Sequence, residues 1–183
     1  MSTMRWYRAE LRLLACAAAG LSASAGAQVT WNPRAPENSQ VRPTFNHATV
    51  EEVLTAIGAR HQRSGTNPAR PVIAVAFANN RRAVISLLSC SGDGLACRGL
   101  GIQSSWNAPA GTPPARVAAA IERYNRRYSF AKAFVAANGR LTLQRYLTGD
   151  YGFIRGDLAV NLQVFANQAE RFANEVVRPL GGR

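Results

Sequence analysis

The stretch 84-VISLLSCSGDGLACRGLGIQSSW-106 decides the fold. Val84 to Cys90 is an apolar, partly β-branched run of strand length. Ser91-Gly92-Asp93-Gly94 turns the chain, because Gly and Asp accept the backbone angles that a tight turn requires. Cys97 then opens another strand, on which Leu100, Ile102 and Trp106 share one face at period two. The two cysteines stand at facing strand ends, where Cα atoms come within about 4.5–5.5 Å, so Cys90 and Cys97 are expected to form a disulfide. In the chain-entropy account, closing so short a loop stabilises a fold by roughly 2–3 kcal/mol. A zinc site would want four ligands, and His47 and His61 lie far off in sequence. A redox dithiol would be expected as Cys-x-x-Cys beside a βαβ unit. Structural bracing is the better reading.

Upstream, Val72 to Phe77 reads as a buried strand, and Asn79-Asn80 as the turn that leads into Val84–Cys90. A helix precedes it, with Thr49 and Glu52 in capping-box relation and Val50, Val53, Leu54 and Ile57 as its apolar stripe. The segment His61 to Pro71, with Gly65, Asn67 and Pro68, reads as loop. Residues 28–45 carry Pro33, Pro36 and Pro43 among Asn, Ser and Gln and read as a flexible or extended arm.

Downstream, the prolines that end the loop 109–114 suit the start of a helix from Ala115 to Arg127, with Val117, Ile121, Tyr124 and Tyr128 on its apolar side. Phe130–Ala137 and Leu141–Leu147 flank Asn138-Gly139, a hairpin signal. Leu141, Leu143 and Leu147 are predicted to face one way and Thr142, Gln144 and Tyr146 the other. Asp157 is placed to cap a last helix, whose Leu158, Leu162, Phe165, Ala169, Phe172 and Val176 form a narrow seam. Pro179 and Gly181-Gly182 end it. The predicted order is α-β-β-β-α-β-β-α: an α+β domain with a five-stranded antiparallel sheet over residues 46–178, followed by a short tail, 179–183.

The first residues have the anatomy of an export leader. Arg5, Arg8 and Arg12 precede an uncharged Ala/Leu run that ends at Ala25-Gly26-Ala27, an A-x-A site. Cleavage after Ala27 would leave Gln28 as the mature N-terminus, in the periplasm or outside the cell, with no transmembrane anchor. A spanning helix needs about 20 apolar residues, more than the leader's run offers. Leu13-Leu14-Ala15-Cys16 is a competing, lipobox-like site for a lipoprotein, but it leaves almost no apolar segment ahead of Cys16.

The whole chain carries a formal charge of +12, and +10 remains once the three arginines and one glutamate of the leader are removed. Every base but Lys132 is an arginine. The charge fits an anionic partner such as an envelope component, or a plainly solvated basic surface. Nucleic acid is not an expected partner, because no basic helix with interleaved stacking aromatics occurs.

The run from Cys90 to Lys132 resembles the YbjN-domain proteins of bacteria. The marks are Cys90 and Cys97 around a Gly/Asp turn, the strand Leu100–Trp106, then Ile121, Tyr124-Asn125, Arg127 and Phe130-Ala131-Lys132-Ala133. The final helix with Phe165 and Phe172 fits as well, so the resemblance covers residues 46–178. Tyr124 stands where the pattern has tryptophan, Gly149-Asp150-Tyr151-Gly152 replaces a plainer Gly-Gly turn, and the export leader departs from the cytoplasmic members. The resemblance implies a fold like that of type III secretion chaperones, which commonly dimerise and bind extended segments of other proteins. It implies a sensory-transduction regulator and carries no catalytic residues.

The residues themselves point away from an enzyme. Asp93, Asp150 and Asp157 sit at turns or caps, Glu51 and Glu52 in a first helical turn, and no nucleophile–base pair or carboxylate pair converges. No cofactor or metal is expected. Arg123, Tyr124, Arg126, Arg127 and Tyr128, with Arg145 and Tyr146, could form a basic aromatic surface for a peptide or an anionic polymer. Helix-on-sheet packing with an arginine-rich rim is the better reading of the tyrosines. The expected function is that of a non-enzymatic binding or adaptor protein for another protein or peptide segment, as a homodimer, with binding of anionic envelope components as the alternative.

Overall fold

The computed structural model describes residues 31–182, so the expected leader, with Cys16 and Ala27, lies outside the described residues. The elements in chain order are β1 (Val41–Arg42), α1 (His47–Ala56), β2 (Arg60–Ser64), β3 (Val72–Ala76), β4 (Arg82–Cys90), β5 (Cys97–Trp106), α2 (Pro114–Arg127), β6 (Lys132–Val135), β7 (Leu141–Thr148), β8 (Phe153–Ile154) and α3 (Arg155–Phe172). The fold is α+β, but its main sheet has six strands, ordered β2-β3-β4-β5-β7-β6, and β1 and β8 form a separate two-stranded ribbon. Every neighbouring pair is antiparallel.

The sixth strand is β2, in a stretch predicted to be loop. It reads Arg-His-Gln-Arg-Ser and has no apolar alternation. An edge strand can lack it: its ladder to β3 is complete from Arg60↔Ala76 to Ser64↔Val72, yet its side chains stay largely in water. His61, read as the start of that loop, is on this strand.

The sheet buries one face. Ile73, Val75, Ala83, Ile85, Leu87, Leu100, Ile102, Leu141 and Leu143 form the core together with Leu158, Leu162, Phe165, Phe172 and Val176 of the last helix. The predicted seam of α3 is buried throughout and runs on into a π-helical turn, Ala173–Val177. In α2, Val117, Ile121 and Tyr124 are buried. Two aromatic contacts centre on Phe172 of α3: Trp106 of β5 tilts against it at 5.1 Å, tying helix to sheet, and Tyr124 of α2 meets it edge-on at 5.0 Å, tying helix to helix. Asn125 locks α2 to β6 by donating to the Ala133 carbonyl and accepting from its N–H, both at 2.9 Å.

Two helix caps differ from the sequence reading. Asn46 caps α1, and its partner in the capping box is Thr49, three residues on; Glu52 points elsewhere. Ile154 stands at the N-cap of α3 without a side-chain cap, and Asp157 lies inside the first turn. There its charge still favours the positive end of the helix dipole.

The arm, as far as it is described, packs on the domain. Phe45 is 1% exposed and exchanges backbone hydrogen bonds with Cys97. Its ring stacks on Phe153 at 4.3 Å. Cys97 also pairs with Cys90 across β4 and β5, their sulfurs 2.12 Å apart. One residue thus ties the arm, β4 and β5 together.

A second tie is polar. Arg155, buried at the start of α3, donates from Nε to Glu52 of α1 at 2.8 Å and from Nη1 to Asn38 of the arm. Glu52 also receives Arg42 of β1 at 2.8 Å. Removing Glu52 leaves the buried guanidinium short of its counter-charge. Glu52→Ala is therefore expected to lower stability by about 2 kcal/mol, or roughly 5 °C in Tm by thermal denaturation. An unchanged Tm would mean that the clasp is ornamental. Tyr124 donates its hydroxyl to Gln168 at 2.8 Å. Tyr124→Phe keeps the ring packing but loses this bond, and is expected to cost about 1 kcal/mol in chemical denaturation; a variant as stable as the parent would contradict that role.

Candidate binding face

The period that sends large apolar side chains to the core sends a different set to the other face. Across the strands this outer set runs Gln62, Ala74, Val84, Gln103, Gln144 and Lys132 in successive register. A neighbouring row begins Arg60, Ala76, Arg82. These are the residues that water meets: Val84 is 45% and Tyr146 52% exposed. The helices pack against the opposite face, so among the described residues the outer face has no helical cover.

Part of this face is concave. A shallow cavity of about 760 Å³ is floored by Ala74, Ala76 and Val84, edged by Gln62 and Gln103, and rimmed by Arg60, Arg82 and Arg140. Among the described residues, no Phe, Tyr or Trp and no carboxylate lines it. Arg140 is held in place by donating from Nη2 to the Ser105 carbonyl at 2.9 Å. Among the described residues, Arg60, Arg82 and Arg140 form no ion pair with a carboxylate. The acidic side chains are on the helices and turns: Glu51 with Arg63, Glu52 with Arg42 and Arg155, Glu122 with Arg126, Glu170 with Arg81, Glu175 with Arg127. Arg63 draws the Glu51 carboxyl below its ordinary range through their hydrogen bonds.

At the other end of the same face, Tyr146 lies over Gly99. A Cβ on Gly99 would sit 2.5 Å from the Tyr146 hydroxyl, so the absent side chain is what lets the ring come down onto β5.

The structure divides the basic aromatic set named from the sequence. Tyr124 is 3% exposed, and burial pushes its phenol well above the usual tyrosine range, with the nearby Glu175 adding to the effect. Tyr128 caps α2, donates to Glu175 at 2.8 Å and has Arg127 over its ring. Arg123, Arg126 and Arg127 lie on the exposed side of α2. Arg145 is on the inner side of β7, where it donates to the Phe130 carbonyl at 2.6 Å and lies 4.2 Å over that ring. Tyr146, the next residue, is on the outer face. Register separates the last two: neighbours in a strand point to opposite sides. The rim arginines were missed because Arg60 and Arg82 fell just outside the elements read from the sequence: Arg60 between the first helix and the presumed loop, Arg82 between the Asn79-Asn80 turn and the strand from Val84. Taking the polar positions opposite the apolar ones would have found Arg82 and Gln103.

Ile121, on the apolar side of α2, is 8% exposed and belongs to the core. His47 lies at the start of α1 and His61 on β2, and among the described residues no group of three His, Cys, Asp or Glu is gathered as a metal site would need. No helix among them is long and apolar enough to cross a membrane.

A comparison with curated proteins gave no match. A family model, YbjN, described as "Putative bacterial sensory transduction regulator", matches residues 46–178. That span runs from the N-cap of α1 through the whole main sheet to the end of α3, and the description is of a regulator, not of an enzyme. The chain belongs to the YbjN family.

Proposed function

We propose that this chain is an exported, non-enzymatic regulatory module that acts by binding another protein, with the outer face of its sheet as the working surface. The observation that carries this reading is the helix-free, carboxylate-free concavity around Ala74, Ala76 and Val84. The family description supports a regulator, and regulators of this kind act through partners. A fold like that of secretion chaperones, which the family resemblance implies, would point the same way, since those proteins hold segments of other chains. The leader at residues 1–27 and the Cys90–Cys97 pair support export, because such a pair persists in an oxidising compartment. A homodimer through α2 would have to use its exposed Arg116, Ala118, Ala119 and Arg123, since Ile121 is committed to the core.

Two experiments test this. A photo-crosslinking residue at Val84 in the full-length protein, in its own cells, is expected to capture a discrete protein partner; the same probe at Ala119 is not. Capture from Ala119 alone, or from neither, would overturn the assignment of the face. For export, the envelope fraction is expected to hold a chain that begins at Gln28 and whose thiols resist labelling until reductant is added. An uncleaved chain with free thiols in the cytoplasm would refute it.

A further inference from the structure

Resting on the protein-binding reading above, we infer that the concavity takes an acidic polypeptide segment whose carboxylates alternate with small apolar side chains. The argument begins with what a sheet face can offer. Its backbone N–H and C=O groups are spent in the ladders, so an occupant is recognised by side chains alone. Three guanidiniums present themselves here. Arg60 and Arg82 stand two strands apart in one register row, about 10 Å, with the methyl of Ala76 between them. Arg140 extends the group toward β5 through its bond to Ser105.

Guanidinium forks match carboxylates in shape and charge. The other arginines that reach carboxylates in this molecule are on its helix side, in its arm or on the flank of β2, and no acidic residue lines the concavity to compete. The floor decides between anionic occupants. A sugar polymer would want flat aromatic rings on which to stack, and none lines this cavity. Methyl and isopropyl groups interleaved with arginines instead suit apolar and acidic side chains in alternation. A second copy of the same face is disfavoured, because it would bring like charges together without carboxylates between them.

The test is fluorescence anisotropy with labelled 16-residue peptides at low salt, on the mature chain. The parent is expected to bind an alternating Glu/Ala peptide about tenfold more tightly than its Gln/Ala counterpart, and less tightly as salt rises. Arg82→Glu with Arg140→Glu is expected to weaken binding at least about tenfold, whereas Arg123→Glu with Arg126→Glu, equal in charge but on α2, changes it less than about threefold. Circular dichroism checks that both variants are folded; should the first pair unfold, Arg82→Gln with Arg140→Gln takes its place with the same expectation. Equal losses from the two sites would overturn the proposal, leaving only net charge. So would tighter binding of a sulfated oligosaccharide or of phosphatidylglycerol vesicles at this face than of the peptide. If the Val84 probe captures its cellular partner equally well from the Arg82/Arg140 variant, the acidic occupant is refuted while the protein-binding reading stands. If the peptide binds as expected and the probe captures no protein, that reading fails and the chemistry of the face survives.

Discussion

The six-stranded sheet has one dry face and one wet face, and the rest of the molecule follows from that division. Each strand alternates, so a single register decides for all strands which side chains are buried. Ile73, Ile85, Leu100, Ile102, Leu141 and Leu143 come out together on one side, and the seam of α3 lies over them. The same alternation leaves Ala74, Ala76, Val84 and Gln103 on the other side, where none of the described helices lies over them. A working surface thus arises without any element dedicated to it. Small residues keep it shallow, and the arginines at its rim stay solvated without being drawn into ion pairs.

One-sided burial needs its ends closed, and the segment ahead of the family domain does this. Phe45 fills the gap beside β8, and its backbone continues the hydrogen bonding of β5 at Cys97. Gly149 must be small there, because a Cβ would come within 2.7 Å of the Phe45 ring. The Arg155 clasp gathers Asn38, Glu52 and, through Glu52, Arg42. A buried guanidinium is costly unless its partners are fixed, so the clasp is better read as specifying how the arm docks than as a large source of stability.

The parts of the fold that were legible in the sequence are those where local and global preferences agree. The Asn-Gly turn, the turn between the cysteines and the three-four seam of α3 each carry their own signal, and the structure places all of them as read. β2 was illegible for a physical reason: an edge strand of Arg, His, Gln and Ser is held by its ladder to β3 and by Arg63–Glu51, contacts that no local pattern records. The cap of α1 was misplaced by three residues because Asn46 and Thr49 satisfy the same geometry that Thr49 and Glu52 would. The candidate surface was harder still. Arg145 and Tyr146 adjoin in sequence and part in space, while Arg60, Arg82 and Arg140 converge only once strand order is known. Composition announced a basic protein but not where its unpaired charge would gather.

An open, positively rimmed sheet face in a regulator family is the centre of this account, and it requires the face to be bare in the free protein. Methyl NMR of the purified protein with a dissolved paramagnetic relaxation agent measures that directly. The account predicts strong broadening of the Ala74 and Val84 methyls and little effect on those of Ala83, Ile85 and Ala133. Protection of Ala74 and Val84 to the level of Ala83 would mean that the face is covered, and would contradict the account.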